Sequence, residues 1–160
     1  MDPIEFRPIG VIRTPFTTVD GMPIQASAAE GASGRIELDP GYVDALQDLD
    51  GFSHIILLYH LDRTGPARMH VTPYLDDREH GLFATRSPAR PNPIGLSTVR
   101  LVSIAGNVLE IADVDILDGT PLLDIKPYVP ALDDRPEARI GWYTDRLDRL
   151  IGARSDRRFG

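Results

Sequence analysis

Phe83-Ala-Thr-Arg-Ser-Pro-Ala-Arg-Pro-Asn-Pro-Ile-Gly-Leu-Ser-Thr98 is the stretch densest in special backbone residues. Pro88, Pro91 and Pro93 each fix φ and remove a backbone donor. They also push Ser87, Arg90 and Asn92 out of the helical region. Gly95 frees the backbone just before a β-rich run. The segment is therefore expected to be neither a helix nor a central strand, but a stiff, extended loop of predetermined shape.

Arg86 and Arg90 sit on this loop, and no Asp or Glu occurs from Gly81 to Val108 in a chain of formal net charge -7. Two guanidiniums without local counter-ions suit an anionic or aromatic ligand; they equally suit a rigid surface turn with solvated charges.

The run from Phe83 to Gly95 resembles the signature of the TrmO family, also called TsaA-like, of S-adenosylmethionine-dependent tRNA adenine-N6 methyltransferases. Asp118-Gly-Thr-Pro-Leu-Leu-Asp-Ile-Lys-Pro-Tyr128 resembles the second signature of that family. Ile9-Gly-Val-Ile-Arg-Thr-Pro15 and Phe52-Ser-His54 also fit, so the likeness spans most of Ile9 to Pro130.

Outward from the loop, the chain reads as many short strands with Pro and Gly punctuation. Phe6 to Arg13 is expected as a first strand, followed by a long loop from Thr14 to Ser33, and Gly34 to Leu38 as a second strand. Asp39 is placed to cap a helix with Pro40 at its first position, and Tyr42, Ala45, Leu46 and Leu49 supply its apolar face before Gly51. Ile55-Ile-Leu-Leu-Tyr59 reads as a buried strand within Phe52 to Leu61. Asp62 to Glu79 is irregular. Ser97 to Ala105 and Val108 to Leu117 form a hairpin about Gly106-Asn107. Pro127 and Pro130 limit the extended stretch Pro121 to Pro130 to a sheet edge or loop. Trp142 to Ile151 suggests a closing helix.

This pattern predicts a mainly β chain, a sandwich or barrel; the resemblance selects a single β-barrel domain with a few short helices. Residues 1–135 are expected to form the barrel domain, and 136–160 a C-terminal helix with an arginine-rich tail.

At 160 residues one domain has room for a real core. No apolar run is long enough to span a bilayer, and Asp2 and Glu5 argue against a signal peptide, so a cytoplasmic location is the default. Cysteine is absent, which excludes disulfides, thiolate catalysis and zinc-thiolate sites. His54, His60, His70 and His80 lack metalloprotease spacing, so no metal is expected. No G-x-G-x-x-G follows a strand and no phosphate-binding Walker loop is present. The calcium-like run Asp113 to Gly119 is out of register with a true calcium loop.

Charge is uneven. Arg135 to Gly160 holds seven Arg against four acids, which leaves -10 on the remainder. So acidic a body grips RNA poorly. The arginines of the last segment, Arg146 and Arg149 with Arg154, Arg157 and Arg158, are therefore expected to position a phosphate backbone; the alternative is that Arg146 and Arg149 solvate the outer face of the last helix.

The resemblance implies S-adenosyl-L-methionine as cofactor, tRNA as partner and a homodimer. It places the cofactor at Pro23, Ile24, Gln25, His60, Leu61, Arg86, Leu96, Asp115, Ile116, Leu117 and Asp118. Carboxylates suit the cationic and hydroxyl parts of a sulfonium nucleoside, and Arg86 suits its carboxylate. Asp118-Gly119 is also ordinary turn chemistry. Methyl transfer needs in-line geometry more than acid–base power. Asn92 either accepts the reacting N–H or ends its turn. The family substrate, threonylcarbamoyladenosine beside the anticodon, carries a carboxylate that Arg90 or Lys126 would hold. Tyr128 either orients a base or packs in the core. Asn92, Lys126 and Tyr128 are thus the catalytic candidates, and Arg90, Arg146 and Arg149 the substrate-binding ones. A non-catalytic cofactor or nucleotide sensor, and a methyltransferase with a small-molecule acceptor, are the alternatives.

Overall fold

A computed structural model describes residues 1–20 and 31–149. Six antiparallel strands close into a barrel: β1 (Gly10–Arg13), β2 (Ser33–Leu38), β7 (Val108–Ala112), β6 (Ile94–Ala105), β3 (His54–His60) and β8 (Thr120–Pro127), with β8 returning to β1. A separate two-stranded ribbon pairs β4 (His70–Val71) with β5 (His80–Gly81). One short α-helix, α1 (Pro130–Asp133), follows β8.

Alternation along the strands builds the core. In β3, Ile55, Leu57 and Tyr59 are buried while Ile56 and Leu58 are only half-buried. Ile12, Ile36, Val99, Leu109, Ile111 and Leu122 meet them from the other five strands, all at 1% exposure or less. Each such side chain stabilises the fold by about 1.5–3 kcal/mol relative to an exposed one.

The barrel departs from the sequence expectations where closure or a single dihedral overrides local signals. The stretch 121–130 is not an edge or a loop, because Thr120–Pro127 pairs on both sides, with β1 and with β3. Closing a barrel removes edges. The ladder absorbs this strand's irregularity through a register shift opposite Leu58 and Tyr59.

β1 begins at Gly10 rather than Phe6. Its partner β2 ends opposite Gly10 at Leu38, and only Ile9 extends the pairing, donating to the Leu122 carbonyl at 2.8 Å and accepting from the Asp39 N–H at 2.8 Å. β6 begins at Ile94, so the last five residues of the Pro-rich stretch are a central strand after all. Upstream of it, Leu82–Ala84 is a single 3-10 turn.

The helix expected after Asp39 is two 3-10 pieces, Pro40–Leu46 and Leu49–Gly51. Asp39 does cap the first, accepting from the Gly41 N–H at 2.8 Å. Asp48 between them is left-handed, at φ 66°, which an α-helix cannot contain. The described part of the expected closing helix is likewise two 3-10 turns, Gly141–Asp145 and Leu147–Arg149.

β7 stops at Ala112 instead of running to Leu117 because Asp113 is also left-handed, at φ 62°. Its carboxylate accepts from the Gly31 N–H at 2.7 Å and pairs with Arg100 at 3.2 Å, which holds the reversal. This reversal takes residues 114–119 off the sheet and across one barrel end.

Candidate functional site

One cleft of about 440 Å³ lies at that end of the barrel, where the 114–119 crossing meets the Pro-rich loop. Leu61, Leu96, Ile116 and Leu117 give it apolar surface; Arg86, Arg90 and Asp115 bring charge. Thr14 ties down the crossing: its N–H donates to Asp118 Oδ1 at 3.1 Å and its hydroxyl to the Ile116 carbonyl at 2.7 Å. Arg63 Nη2 donates to the Asp118 carbonyl from the other side.

The cleft floor contains a directional chain of hydroxyls. Ser97 Oγ donates to Asp115 Oδ1 at 2.6 Å, so the Tyr59 hydroxyl, 2.9 Å from Ser97 Oγ, is the donor to Ser97. Burial pushes the Tyr59 phenol well above its ordinary value, and the Asp115 charge adds to this; Arg86 acts in the opposite sense. Tyr59 is therefore a neutral donor throughout the physiological range, and Asp115 and Arg86 both lie within electrostatic reach of it.

Of the expected cofactor residues, Leu61, Arg86, Leu96, Asp115, Ile116 and Leu117 share this cleft. Asp118 is not among its lining residues; its carboxylate is spent on Thr14, as turn chemistry. His60 is exposed at the end of β3 and lies outside the lining too. Pro23, Ile24 and Gln25 lie outside the described residues.

The expected catalytic and substrate residues are dispersed. Arg90 lines the cleft, yet its Nη1 donates to the Thr85 carbonyl at 2.9 Å and its guanidinium lies 5.6 Å from the Phe83 ring centroid. It braces the Pro-rich loop from inside. Asn92 is exposed on that loop, and its carbonyl accepts from the Ile94 N–H at 2.8 Å. Lys126 pairs with Asp124 at 2.7 Å and stands across from Ile56, three residues before Tyr59, ~10 Å along the strand. Tyr128 is farther still. It sits beside His54 at the opposite end of β3, its hydroxyl donating to Asp134 at 2.6 Å.

Arg146 is half-buried and Arg149 exposed, and both also bond within the chain. Arg146 Nη2 reaches Asp76 Oδ1 at 3.3 Å, and Arg149 Nη1 donates to the Leu75 carbonyl at 3.4 Å. Asp76 is buried, and the bond from His80 Nε2 at 3.0 Å holds its carboxyl well below the usual carboxylate range.

Tyr59, Ser97, Trp142 and Tyr143 were not singled out by the sequence. Tyr59 hides in an apolar run and Ser97 in an alternating strand, where both read as barrel residues. The adjacent Trp142-Tyr143 pair, which includes the single tryptophan of the chain, was the available signal for the last two.

Among the described residues no group of His, Asp or Glu is arranged to hold a metal ion, and no helix is long and apolar enough to cross a membrane.

Comparison with known proteins agrees with this architecture. The family described as tRNA-methyltransferase O N-terminal domain matches residues 11–134. A probable S-adenosyl-L-methionine-binding protein of Pyrococcus abyssi is 54% identical over 96% of this chain and 84% of its own length. The tRNA (adenine(37)-N6)-methyltransferase of Escherichia coli is 37% identical over 86% of this chain and 63% of its own. A crystal structure of TrmO from Pseudomonas aeruginosa superposes with a TM-score of 0.75 at 38% identity, covering 88% of this chain and 63% of that one. The chain thus spans somewhat under two thirds of these two bacterial proteins. Barrel, cleft and sequence together place this chain in the TrmO family.

Proposed function

We propose that this protein is an S-adenosylmethionine-dependent methyltransferase that methylates N6 of adenine in tRNA. The observation that carries the reading is the presence of Arg86 and Asp115 together in the lining of one largely apolar cleft. A sulfonium amino-acid nucleoside needs an anion near its α-amino and sulfonium charges, a cation for its carboxylate and an apolar shelf for its adenine. Arg86, Asp115 and the Leu61–Leu96–Ile116–Leu117 surface supply those three, and Pro23, Ile24 and Gln25 would complete the set. When bound, the cofactor supplies the methyl group. This chain supplies position: Asp115, oriented by Ser97 and Tyr59, fixes the cationic end, and the braced Pro-rich loop fixes the anionic end.

The acceptor we propose is threonylcarbamoyladenosine at position 37, which the name of the E. coli relative supports as far as adenine 37. Of the expected substrate groups Arg90 lines the cleft, and Asn92 follows it by two residues on the same Pro-rich loop. Lys126 and Tyr128 stand too far from the cleft of their own chain to act there. Their expected role requires a two-fold homodimer that brings a second copy over the cleft. A tRNA acceptor also places the protein in the cytoplasm.

The test has two parts. Calorimetry should show S-adenosylmethionine or its demethylated product binding with roughly micromolar affinity, near -8 kcal/mol. Nucleoside mass spectrometry of tRNA from cells lacking the protein should show loss of the N6-methylated nucleoside. Binding without that loss would leave a cofactor sensor or a small-molecule acceptor, readings favoured by one observation, the charge of -10 on residues 1–134.

A further inference from the structure

Past residue 134, where the family match ends, the chain folds back and adds an aromatic wall to the cleft. Trp142 and Tyr143 both line it, their rings near-parallel at 25° with centroids 4.0 Å apart. His80 continues the series, stacked on Trp142 at 4.5 Å and 22°. This three-ring stack is held in place from several sides. Trp142 Nε1 donates to the Ala84 carbonyl at 2.7 Å, which ties the segment to the base of the Pro-rich loop. Buried Asp76 grips both His80 and Arg146. Tyr143 is only half-buried, and Arg86 is close enough to act on its phenol electrostatically.

The Trp142 and Tyr143 rings are thus held in place and still line the cleft. A half-exposed, pre-ordered aromatic ring beside a guanidinium in a cleft is the arrangement that receives an unstacked nucleobase, since every base has a π-face and stacking needs no hydrogen-bond code. The residues expected to hold the cofactor lie within the shared domain, 11–134; the wall comes after it. Neither ring of the wall is among the residues expected to hold the cofactor, which points the wall to the acceptor.

We infer that Tyr143, backed by Trp142 and His80, is the stacking platform for the acceptor adenine, a substrate-binding residue outside the shared TrmO domain. The inference rests on the methyltransferase reading above. It also gives Arg146 and Arg149 a different task from phosphate contact: they pin the platform to residues 75 and 76.

The sole tryptophan makes the test direct. The full chain is titrated with an anticodon stem-loop RNA carrying 2-aminopurine at position 37, and separately with S-adenosylhomocysteine, while Trp142 emission and 2-aminopurine quenching are followed. The RNA should quench both fluorophores. Tyr143→Leu, which keeps apolar bulk, should weaken RNA binding roughly tenfold and relieve the 2-aminopurine quenching, with S-adenosylhomocysteine affinity unchanged. Tyr143→Phe, which keeps the ring, should bind RNA like the parent. Circular dichroism confirms that each variant is folded. Unchanged RNA affinity in folded Tyr143→Leu overturns the inference alone. Loss of S-adenosylhomocysteine affinity in that variant overturns it as well, by assigning the ring to the cofactor's adenine. Failure of the parent to bind S-adenosylhomocysteine at all overturns the methyltransferase reading, and this inference with it.

Discussion

The ring of Tyr59 lies directly on the backbone of Gly95: a Cβ added at Gly95 would have three ring carbons within 2.7 Å. The two residues face each other across the β3–β6 ladder. Glycine here is a matter of space rather than of dihedral freedom. The ring must lie flat on β6 for its hydroxyl to reach Ser97. Gly95→Ala should therefore cost about 1–3 kcal/mol in urea unfolding, and Gly95→Ala with Tyr59→Leu should recover much of it. A double variant no more stable than Gly95→Ala would show that the ring is not the obstacle.

Arg86→Ala should weaken S-adenosylhomocysteine binding by about 1.5–3 kcal/mol, the scale of a lost charge-assisted bond. The arginine is exposed, so the melting temperature should hardly move. Calorimetry with unchanged affinity would remove Arg86 from the cofactor site.

Acid should act first on the wall of the cleft. The Asp76 carboxyl is held low chiefly by His80, against the opposing pull of burial, with the Asp77 N–H and Arg146 adding to it. Its folded value lies below the unfolded one, so its stabilisation is complete above an unfolded pKa of about 4 and is lost as pH falls from there through the folded value. Melting temperatures measured from about pH 6 down to about pH 3 should drop more steeply for the parent than for Asp76→Asn. Trp142 emission should shift to the red over the same range. Parallel curves for the two proteins would refute the linkage.

Lys126 makes only an exposed ion pair with Asp124, worth under ~1 kcal/mol. Lys126→Ala should thus leave stability alone. A fall in methyl transfer of about a hundredfold in that variant would mean that the lysine serves the cleft of a second copy. Light scattering should then give a dimer. A 17.7 kDa monomer with full turnover would end the dimer reading.

Truncation after Ile151 removes Arg154, Arg157 and Arg158. If these meet phosphates, the dependence of log affinity for tRNA on log salt should flatten by about one unit per lost contact, with cofactor affinity intact. An unaltered slope would make the tail idle.

What the sequence revealed and concealed follows from the range of the forces involved. The Gly106-Asn107 hairpin and the Asp39 cap are local, and both were readable. The barrel position of Thr120–Pro127 was not, because its prolines argue locally for an edge and only ring closure says otherwise. Asp48 and Asp113 each end an element through one left-handed residue that apolar periodicity does not register. Leu61, Arg86, Leu96 and Asp115 to Leu117, which the resemblance grouped, lie along one cleft. For Arg90 the sequence showed the charge but not its bond to the Thr85 carbonyl, because residue type cannot tell an arginine that holds a ligand from one that also holds its own loop. Tyr143 was overlooked because the Trp142-Tyr143 pair marks an aromatic cluster but not which cleft it folds over.

The ring of strands is not equally strong around its circumference. β1 meets β8 over three residue pairs, Gly10 with Leu122, Val11 with Pro121 and Ile12 with Thr120, whereas β3 meets β6 over seven. A closed ladder has no outer strand to peel away, so it must breathe at its weakest seam. That seam ends at Thr120, which lines the cleft, and Thr14 just past β1 holds the 116–118 crossing. Amide exchange should run fastest along this join and slowest in β3. That pattern would make the Thr120 side the yielding wall of the cleft and the side where Tyr59 lies on Gly95 its fixed one.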